Sequence, residues 1–333
     1  MQKNEIRWGL LGCGAVTEKK SGPAFARIPG SRIEGVMSRN LSRAESWARR
    51  NKVPFFTEDA QALIDHPDIQ AIYIATPPSS HKALALATVC AGKPAYIEKP
   101  LATTLADADA IVTAFQCREI PLFTAYYRRA LPHFLRMRSL LNRAILGELL
   151  TAEIRFQRPP LPCDLNPAHL PWRLKPEISG GGYLFDLAPH HLDMLSYLFH
   201  EVRLMDAVHE NRAGLYDAED YTFARFLLNG KIESSALWNF ASESGMHSDV
   251  FRITGTKGWM EIPFFSTGIL RMEIQGRKRE EVYHLPDTIQ EPLITRVVKE
   301  LRGERNSCPS TGVTALEANR LLDEITGKLT PKD

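Results

Sequence analysis

The sequence predicts an α/β protein, with a doubly wound parallel sheet in residues 1–126 and an α+β domain in residues 127–333. Short apolar runs alternate with helical patterns through the first third of the chain, which is typical of parallel strands joined by crossover helices. That alternation stops near Tyr126. Beyond it, apolar runs follow one another between turn signals, which predicts a large, mostly antiparallel open sheet.

The first domain has five short apolar runs that predict buried parallel strands. These strands are Ile6–Leu11, Arg32–Met37, Ala71–Ala75, Ala95–Ile97 and Leu122–Thr124. The helices predicted between them are Pro23–Arg27, Leu41–Asn51, Ala60–Asp65, His81–Ala91 and Leu105–Cys117.

The second domain has strand-like runs that alternate between apolar and polar residues. They are Leu150–Phe156, Arg203–Val208, Tyr221–Leu228, Ile232–Phe240 and Asp249–Thr254, with Asn229-Gly230 as a hairpin signal. Helices are predicted near Leu131–Leu141, at Tyr183–Leu198 and at Val313–Ile325, and helix 313–326 is a candidate to pack back on the first domain. The proline-rich segment Arg158–Ser179 predicts a long loop of the kind that often carries function.

Composition excludes several classes of function. The 41 basic and 39 acidic residues are mixed along the chain, so no basic block predicts a nucleic-acid partner. No apolar run approaches the roughly 18 residues that span a membrane, and Met1–Glu5 lacks a signal-peptide pattern. The 5 cysteines are scattered without metal-ligand spacing. We therefore expect a cytoplasmic protein with reduced thiols and without a metal.

A glycine pair follows the first strand directly. Gly12 permits a tight turn and Gly14 permits close approach of a pyrophosphate to the helix that Ala15 and Val16 open. This placement inside a strand–helix–strand unit predicts a Rossmann dinucleotide-binding loop, whereas a purely structural turn is the alternative. Thr17 stands at the third glycine position of the motif, which predicts looser packing between helix and strand.

The second strand ends in Ser38, Arg39 and Asn40, where an NAD enzyme usually has an acidic residue. A serine hydroxyl and a guanidinium can hold a 2′-phosphate, which a carboxylate would repel. This pattern favours NADP(H), while NAD(H) stays possible. In the alternative interpretation Ser38 merely ends the strand and Arg39 stacks on adenine with either cofactor.

Two further strand ends are predicted to face the cofactor, because ligands bind at the carboxyl ends of parallel strands. Thr76 and Pro77 follow the third strand, and His81 opens the next helix either beside the cofactor or as a solvated polar residue. Glu98 and Lys99 follow the fourth strand, before a proline that fixes the backbone. A lysine held there is placed to contact a substrate.

A third constellation starts from the triple glycine at residues 180–182. Asp186 and His190 lie four residues apart and share one helix face, and His190 with Asp193 is a further same-face pair. A histidine beside a carboxylate is the usual general acid/base near neutral pH. A metal site is possible from spacing alone, and a structural helix with a satisfied core histidine is the other alternative.

These motifs together resemble the glucose–fructose oxidoreductase / inositol dehydrogenase / rhizopine-catabolism (Gfo/Idh/MocA) family. The resemblance spans nearly the whole chain and rests on the glycine loop, the Glu-Lys-Pro tripeptide, Trp172-Arg173 and the run from Gly180 to Asp193. It implies that Lys99 hydrogen-bonds the reacting oxygen, that Asp186 orients the site and that His190 donates or accepts the proton. It also implies a cis Lys99-Pro100 peptide. Ala188-Pro189 departs from the family pattern, which usually has a glycine before its histidine.

The resemblance implies hydride transfer between a nicotinamide and a sugar, polyol or related cyclic hydroxy or keto compound. Besides Asp186 and His190, the predicted substrate-binding residues are Tyr127, Trp172 and Arg173. We expect a homodimer or homotetramer formed through the C-terminal sheet. The alternatives are a non-catalytic nucleotide-dependent sensor and an enzyme of the glycosidase or epimerase type that retains its cofactor for transient oxidation.

Overall fold

The computed structural model describes residues 5–330. The expectation that Met1–Glu5 is not part of a signal peptide therefore concerns residues that, apart from Glu5, lie outside the described part. The chain folds as two compact units, of which unit 1 comprises Met1–Tyr127 and Pro286–Leu316. Unit 2 comprises Arg128–Leu285 and Glu317–Asp333. The division after Tyr127 lies one residue from the predicted boundary, but the sequence did not indicate that residues 286–316 return to the first unit.

Unit 1 is built on a parallel sheet of six strands. They are β1 (Ile6–Leu11), β2 (Ser31–Met37), β3 (Phe55–Thr57), β4 (Ala71–Ile74), β5 (Ala95–Ile97) and β6 (Leu122–Thr124). Their order is β3-β2-β1-β4-β5-β6 and every pairing is parallel. This order confirms the doubly wound Rossmann sheet, whose ligands bind where the strand order reverses, at the carboxyl ends of β1 and β4. The sequence did not reveal β3, whose three residues are only half-buried, unlike those of β5 and β6.

Five helices follow the first five strands or their loops. They are α1 (Gly22–Arg27), α2 (Leu41–Asn51), α3 (Ala60–Asp65), α4 (His81–Cys90) and α5 (Leu105–Cys117). Asn40, Asp59 and Thr104 cap α2, α3 and α5, and each side chain accepts a hydrogen bond from a backbone N–H of the first turn. The predicted bounds of these helices agree with the structure to within one residue.

Aromatic side chains form the centre of unit 1. The ring of Phe25 lies 4.8 Å from Trp8 and 5.1 Å from Tyr73, and Tyr73 stacks on Tyr96 at 5.2 Å. All four side chains are fully buried. Burial of this much apolar surface fixes β1, β4 and β5 against α1, and therefore fixes the strand ends that carry the candidate cofactor residues.

Within Arg128–Leu285, unit 2 combines three α-helices with an eight-stranded sheet. The helices are α6 (Pro132–Asn142), α7 (Pro176–Ser179) and α8 (Gly182–Leu198). The strands are β7 (Leu149–Gln157), β8 (Val202–Glu210), β9 (Tyr221–Leu228), β10 (Ile232–Asn239), β11 (Ser248–Gly255), β12 (Gly258–Ile262), β13 (Ile269–Ile274) and β14 (Arg277–Val282). Their order is β14-β13-β12-β11-β7-β10-β9-β8. All pairings are antiparallel except that of β7 with β10.

The turn between β9 and β10 is the predicted Asn229-Gly230 hairpin. Asn229 and Gly230 have positive φ, +49° and +69°, but Leu228 pairs with Ile232, so the loop also contains Lys231 and is one residue longer than the predicted two-residue turn. The resulting register buries alternate residues such as Ala224 and Ala236 on one face of the sheet, and leaves Phe223 and Leu237 half-exposed on the other. One face of the sheet is therefore covered within unit 2, and the opposite face is open and partly apolar.

The sequence prediction was least complete near the C-terminus. Strands β12 to β14 were not predicted, and in β14 the charged residues hide any alternation. Two more helices follow, α9 (Glu291–Leu301) and α10 (Gly312–Ile325), and only the second was predicted. Segment 158–179 contains short helical turns at Pro162–Leu165, Pro167–His169 and Trp172–Leu174, which are too brief to show a period.

Candidate active site

The glycine loop after β1 has the geometry of a dinucleotide-binding turn. Gly12 has φ of +105°, and a Cβ atom there would lie 2.9 Å from the carbonyl oxygen of Ala75, so only glycine fits. A Cβ atom at Gly14 would meet no atom within 4 Å. Open space therefore lies beside the backbone where Ala15 and Val16 begin the helix, and the residues present fit a pyrophosphate at this helix N-terminus.

Thr17 is accommodated by a local change in the helix. Residues Thr17–Ser21 form a π-helical turn, which the N–H of Gly22 closes by donating to the carbonyl oxygen of Thr17. The buried Thr17 hydroxyl donates to the carbonyl oxygen of Gly14 at 2.8 Å. The departure from the glycine motif is thus compensated, since the wider turn makes room for the side chain and its hydroxyl has a partner.

The end of β2 carries a polar, carboxylate-free turn. Asn40 Oδ1 accepts hydrogen bonds from the N–H of Arg43 at 2.9 Å and from the hydroxyl of Ser42 at 2.7 Å, so this side chain caps α2. Ser38 is half-buried, and its Oγ accepts from the N–H of Asn40 at 3.3 Å, while Arg39 is exposed. Within the predicted trio, Ser38 and Arg39 have the chemistry for a phosphate, and Asn40 shapes the turn.

His81 is fully buried, so the alternative of a solvated residue is wrong. Its Nε2 lies 2.9 Å from the carbonyl oxygen of Thr76, and its Nδ1 lies 3.1 Å and 3.2 Å from those of Pro100 and Leu101. Burial lowers the pKa of this histidine, although the surrounding carbonyls and Glu98 oppose the shift. The ring thus ties the end of β4, which continues into Pro77, to the segment after Lys99.

Glu98 points its carboxylate into the interior of unit 1. Oε1 accepts hydrogen bonds from the hydroxyl of Tyr73 at 2.6 Å and from Nε2 of Gln290 at 2.7 Å. Glu98 is 7% exposed, whereas the neighbouring Lys99 is half-exposed. The Lys99-Pro100 peptide is cis, which confirms the expectation taken from the family resemblance.

In unit 2, the triple glycine starts helix α8 in a conformation that other residues avoid. Gly180, Gly181 and Gly182 have φ of +97°, +153° and +47°. A Cβ atom at Gly181 would lie 2.7 Å from the ring of Phe185. The close packing of this turn fixes the first residues of α8, and through them the direction in which Asp186 leaves the helix.

The structure brings three of the predicted residues together in unit 2. Nε of Arg173 donates to Oδ2 of Asp186 at 2.9 Å, and the Arg173 guanidinium lies 4.5 Å from the centre of the Trp172 ring. The side chains of Arg173 and Asp186 remain 31% and 23% exposed. An indole face beside a partly exposed ion pair can contact both the apolar face and the hydroxyl groups of a small polar ring.

His190 is 4% exposed and lies on α8 directly after Pro189. The proline has no N–H to donate to the carbonyl of Phe185, but α8 continues to Leu198. The hydrogen-bond partner of Asp193 is Arg129 and not, as the sequence spacing had suggested, His190. Its carboxylate is bound bidentately by Arg129, at 2.7 Å from Nη2 and 3.0 Å from Nε, and both side chains are buried.

Burial raises the pKa of Asp193 to about 6, although the Arg129 and Arg128 guanidinium groups oppose this shift. The sequence patterns did not indicate a role for Arg129, although the Arg128-Arg129 pair at the domain boundary is a signal that could have done so. Nor did they indicate a role for Gln290, because a single glutamine before an unpredicted helix carries no pattern. Tyr127 is 6% exposed in unit 1, so most of its side chain is buried.

Neither a metal-binding cluster nor a membrane-spanning helix occurs in the described residues. Between residues 5 and 330, no group of three or more His, Cys, Asp or Glu side chains is arranged to hold a metal ion. In the same part of the chain, no helix is long and apolar enough to cross a membrane.

The fold and these residues define a dinucleotide-binding oxidoreductase. Residues 6–126 match the model of an oxidoreductase family with an NAD-binding Rossmann fold, and residues 134–261 match the Gfo/Idh/MocA C-terminal domain. The chain belongs to the Gfo/Idh/MocA oxidoreductase family, and it is an NAD(P)-dependent enzyme of that family.

Two relatives illustrate the similarity. The chain is 33% identical over 327 residues to oxidoreductase P35 of Formosa agariphila, covering 98% of this chain and 99% of the relative. It is 29% identical over 195 residues to 1,5-anhydro-D-fructose reductase of Ensifer adhaerens, covering 59% of this chain and 57% of that enzyme. The first similarity spans nearly the whole chain, and the second spans little more than half of each protein.

Two solved structures share the fold. A 3-ketoreductase of Actinomadura kijaniata in complex with NADP and TDP-benzene is 20% identical, with a TM-score of 0.82 over 97% of this chain and 98% of that one. A levoglucosan dehydrogenase in complex with NADH and levoglucosan is 22% identical, with a TM-score of 0.84 over 97% of this chain and 96% of that one. Nicotinamide cofactors with and without the 2′-phosphate thus occur on this fold.

Proposed function

We propose that this protein transfers a hydride between NADP(H) and a sugar, a polyol or a related cyclic hydroxy or keto compound. The observation that carries the proposal is the placement of Lys99 directly after β5, in a segment held on both sides by buried hydrogen bonds of Glu98 and His81. A lysine fixed in this way at the carboxyl end of a Rossmann strand supports a role at the reacting atoms.

When bound, the nicotinamide supplies or accepts the hydride. Lys99 donates a hydrogen bond to the reacting oxygen of the substrate and stabilises the negative charge that develops there. His190 holds the proton that this oxygen gains or loses. Asp186, whose carboxylate is directed by Arg173, orients the substrate through its hydroxyl groups. These roles assign charge stabilisation, proton transfer and positioning to different side chains.

The preference for NADP(H) rests on the end of β2. Arg39 is exposed and Ser38 is half-buried, and the turn has no carboxylate that would repel a 2′-phosphate. Because Asn40 is engaged in capping α2, we assign the phosphate contacts to Ser38 and Arg39. Gly12, Gly14, Ala15, Val16, Thr76 and Pro77 line the remaining cofactor path in this proposal.

The unit 2 residues and the names of the relatives support the proposed substrate class. Trp172 offers a flat apolar face, and the Arg173–Asp186 pair offers one donor group and one acceptor group. Sugars, inositols and cyclic diols combine an apolar ring face with several hydroxyl groups, which this set of side chains matches.

The open face of the unit 2 sheet supports a homodimer or a homotetramer. Phe223 and Leu237 are half-exposed on this face of β9 and β10, and Val250 and Trp259 on the same face of β11 and β12, with β7 between the two pairs. Exposed apolar residues on an open sheet face support a protein–protein interface. Light scattering at micromolar concentration tests this assignment, and a monomer would refute it.

An absorbance screen at 340 nm tests the function. NADP⁺ is offered with sugars, inositols, anhydrosugars and cyclic diols, and NADPH with the corresponding keto compounds. We expect stoichiometric turnover of added cofactor with at least one member of the panel. Cofactor that stays bound through gel filtration without turnover would indicate transient oxidation with retained NAD instead.

A further inference from the structure

Gln290 lies just before α9 in the C-terminal segment of unit 1 and is 1% exposed. Both the nitrogen and the oxygen of its side-chain amide form hydrogen bonds. Nε2 donates to Oε1 of Glu98 at 2.7 Å, and Oε1 accepts from the hydroxyl of Tyr96 at 2.9 Å. Its backbone N–H also donates to the carbonyl oxygen of Lys20 at 3.2 Å. This one residue therefore connects Glu98 to the helical turn that follows the glycine loop.

The Glu98 carboxylate depends on these neighbours. A nearly buried carboxylate is costly unless donors satisfy it, and Oε1 receives two short hydrogen bonds, one from Tyr73 and one from Gln290. Burial and the nearby Glu98 charge raise the pKa of Tyr73, so its hydroxyl keeps the proton that it donates. Removal of either donor would leave the carboxylate short of a partner and free to move.

Buried hydrogen bonds hold the chain on both sides of Lys99. On one side Glu98 is held by Tyr73 and Gln290, and on the other side His81 contacts the carbonyl oxygens of Pro100 and Leu101. The titratable groups that these contacts bring to Glu98 are the phenols of Tyr73 and Tyr96 and the imidazole of His81. These contacts therefore restrict the movement of the backbone on both sides of Lys99.

We propose that Gln290 is a positioning residue for Lys99, acting through the Glu98 carboxylate. This inference rests on the proposed function, because it assumes that Lys99 contacts the reacting oxygen. The proposal gives residues Pro286–Leu316, which pack in unit 1, a role in positioning the catalytic lysine as well. Because the backbone N–H of Gln290 also donates to the carbonyl oxygen of Lys20, the same residue links the position of Lys99 to the helical turn that follows the glycine loop.

The sharpest variant is Gln290→Glu, which keeps the size and shape of the side chain. When protonated, the introduced carboxyl group can donate to Glu98 and accept from Tyr96, as the amide does. When ionised, it places a second negative charge about 3 Å from Oε1 of Glu98. Two carboxylates this close share one proton, and the upper pKa of the pair is raised above the ordinary value.

The experiment measures kcat, KM and cofactor affinity between about pH 5 and about pH 9 for the wild type, Gln290→Glu and Gln290→Met. We expect Gln290→Met to lower kcat by about 10- to 100-fold at every pH, as small misplacements of a reacting group do. We expect Gln290→Glu to be nearly wild-type at low pH and to lose kcat relative to the wild type as pH rises. The affinity for NADPH should change less than kcat in both variants.

Ser310→Ala is the matched control. Ser310 lies in the same C-terminal segment, is fully buried and donates to the carbonyl oxygen of Thr124 at 2.7 Å, which places its hydrogen bond on β6 rather than on Glu98. The Ser310→Ala variant loses a buried hydrogen bond, which should lower its stability. Its kcat and the pH dependence of kcat should stay unchanged. This control separates a general loss of stability from the positioning effect.

Wild-type kcat in Gln290→Met, or a ratio of Gln290→Glu to wild type that does not vary with pH, would overturn the inference. If Gln290→Met does not fold, the pH-dependent ratio for Gln290→Glu decides alone. Lys99→Met distinguishes the two proposals. Full activity of Lys99→Met would overturn the proposed function, whereas loss in Lys99→Met with normal Gln290 variants would overturn only the role of Gln290.

Discussion

Asp186 accepts a hydrogen bond from Nε of Arg173 at 2.9 Å, in unit 2 and one turn of helix α8 before His190. Both side chains are partly exposed, so the pair contributes little to stability, about 0–1 kcal/mol. Its value lies instead in fixing the direction of the Asp186 carboxylate, and of the guanidinium that lies against Trp172.

Arg173→Met should therefore change substrate use more than stability. We expect KM for the substrate to rise about 10-fold, which corresponds to the loss of a charged hydrogen bond. The thermal midpoint should stay nearly constant. Arg212→Met is the control, since Arg212 forms a more exposed ion pair with Glu210 in the same unit, away from Trp172 and Asp186 in the sequence. Equal KM values for wild type and Arg173→Met would contradict the assignment.

Cofactor choice should follow the end of β2. Ser38→Asp adds a negative charge where the 2′-phosphate is proposed to bind, and so should reverse a preference for NADPH over NADH. Fluorescence titration with both cofactors measures the two affinities. Equal affinities of the unmutated protein for NADPH and NADH would refute the assignment of Ser38 and Arg39 to a phosphate.

His133 should make unit 2 sensitive to acid. It is 2% exposed, and burial together with Arg128 lowers its pKa to about 4. Between about pH 6.5 and about pH 4 the unfolded chain binds a proton that the folded one excludes, so stability falls as pH falls. From pH 7 to pH 5 this one group costs about 2 kcal/mol.

Urea unfolding of wild type and His133→Gln at these two pH values checks the prediction. The glutamine cannot titrate, so the variant should lose about 2 kcal/mol less than the wild type between pH 7 and pH 5. Other buried histidines such as His191 are present in both proteins and cancel in the comparison. The same loss of stability in both proteins would show that His133 is not the group responsible.

Local patterns in the sequence predicted the features of the site that depend on neighbouring residues. Gly12 follows a strand and Lys99 follows another, so the sheet rules alone place both at carboxyl strand ends. Asp186 and His190 lie on one helix, as predicted, and their relative position is set by the helix period.

The sequence could not predict contacts between residues that are far apart along the chain. Glu98 and Gln290 are separated by 192 residues, and Asp193 and Arg129 by 64. Nothing local distinguishes Gln290 from a surface glutamine, and Asp193 has a histidine three residues away that is a plausible partner. Tertiary packing decides both pairings, which explains why the sequence paired Asp193 with His190 and the structure pairs it with Arg129.

The central claim is that Lys99 stabilises the charge on the reacting oxygen, and Lys99→Met tests it most directly. Methionine keeps much of the length of the side chain but removes its charge and donors. We predict that kcat falls on the order of 10²–10³-fold, while NADPH affinity changes far less. Steady-state kinetics with a substrate from the screen, together with a cofactor titration, measures both. Turnover by Lys99→Met at the wild-type rate would contradict the claim.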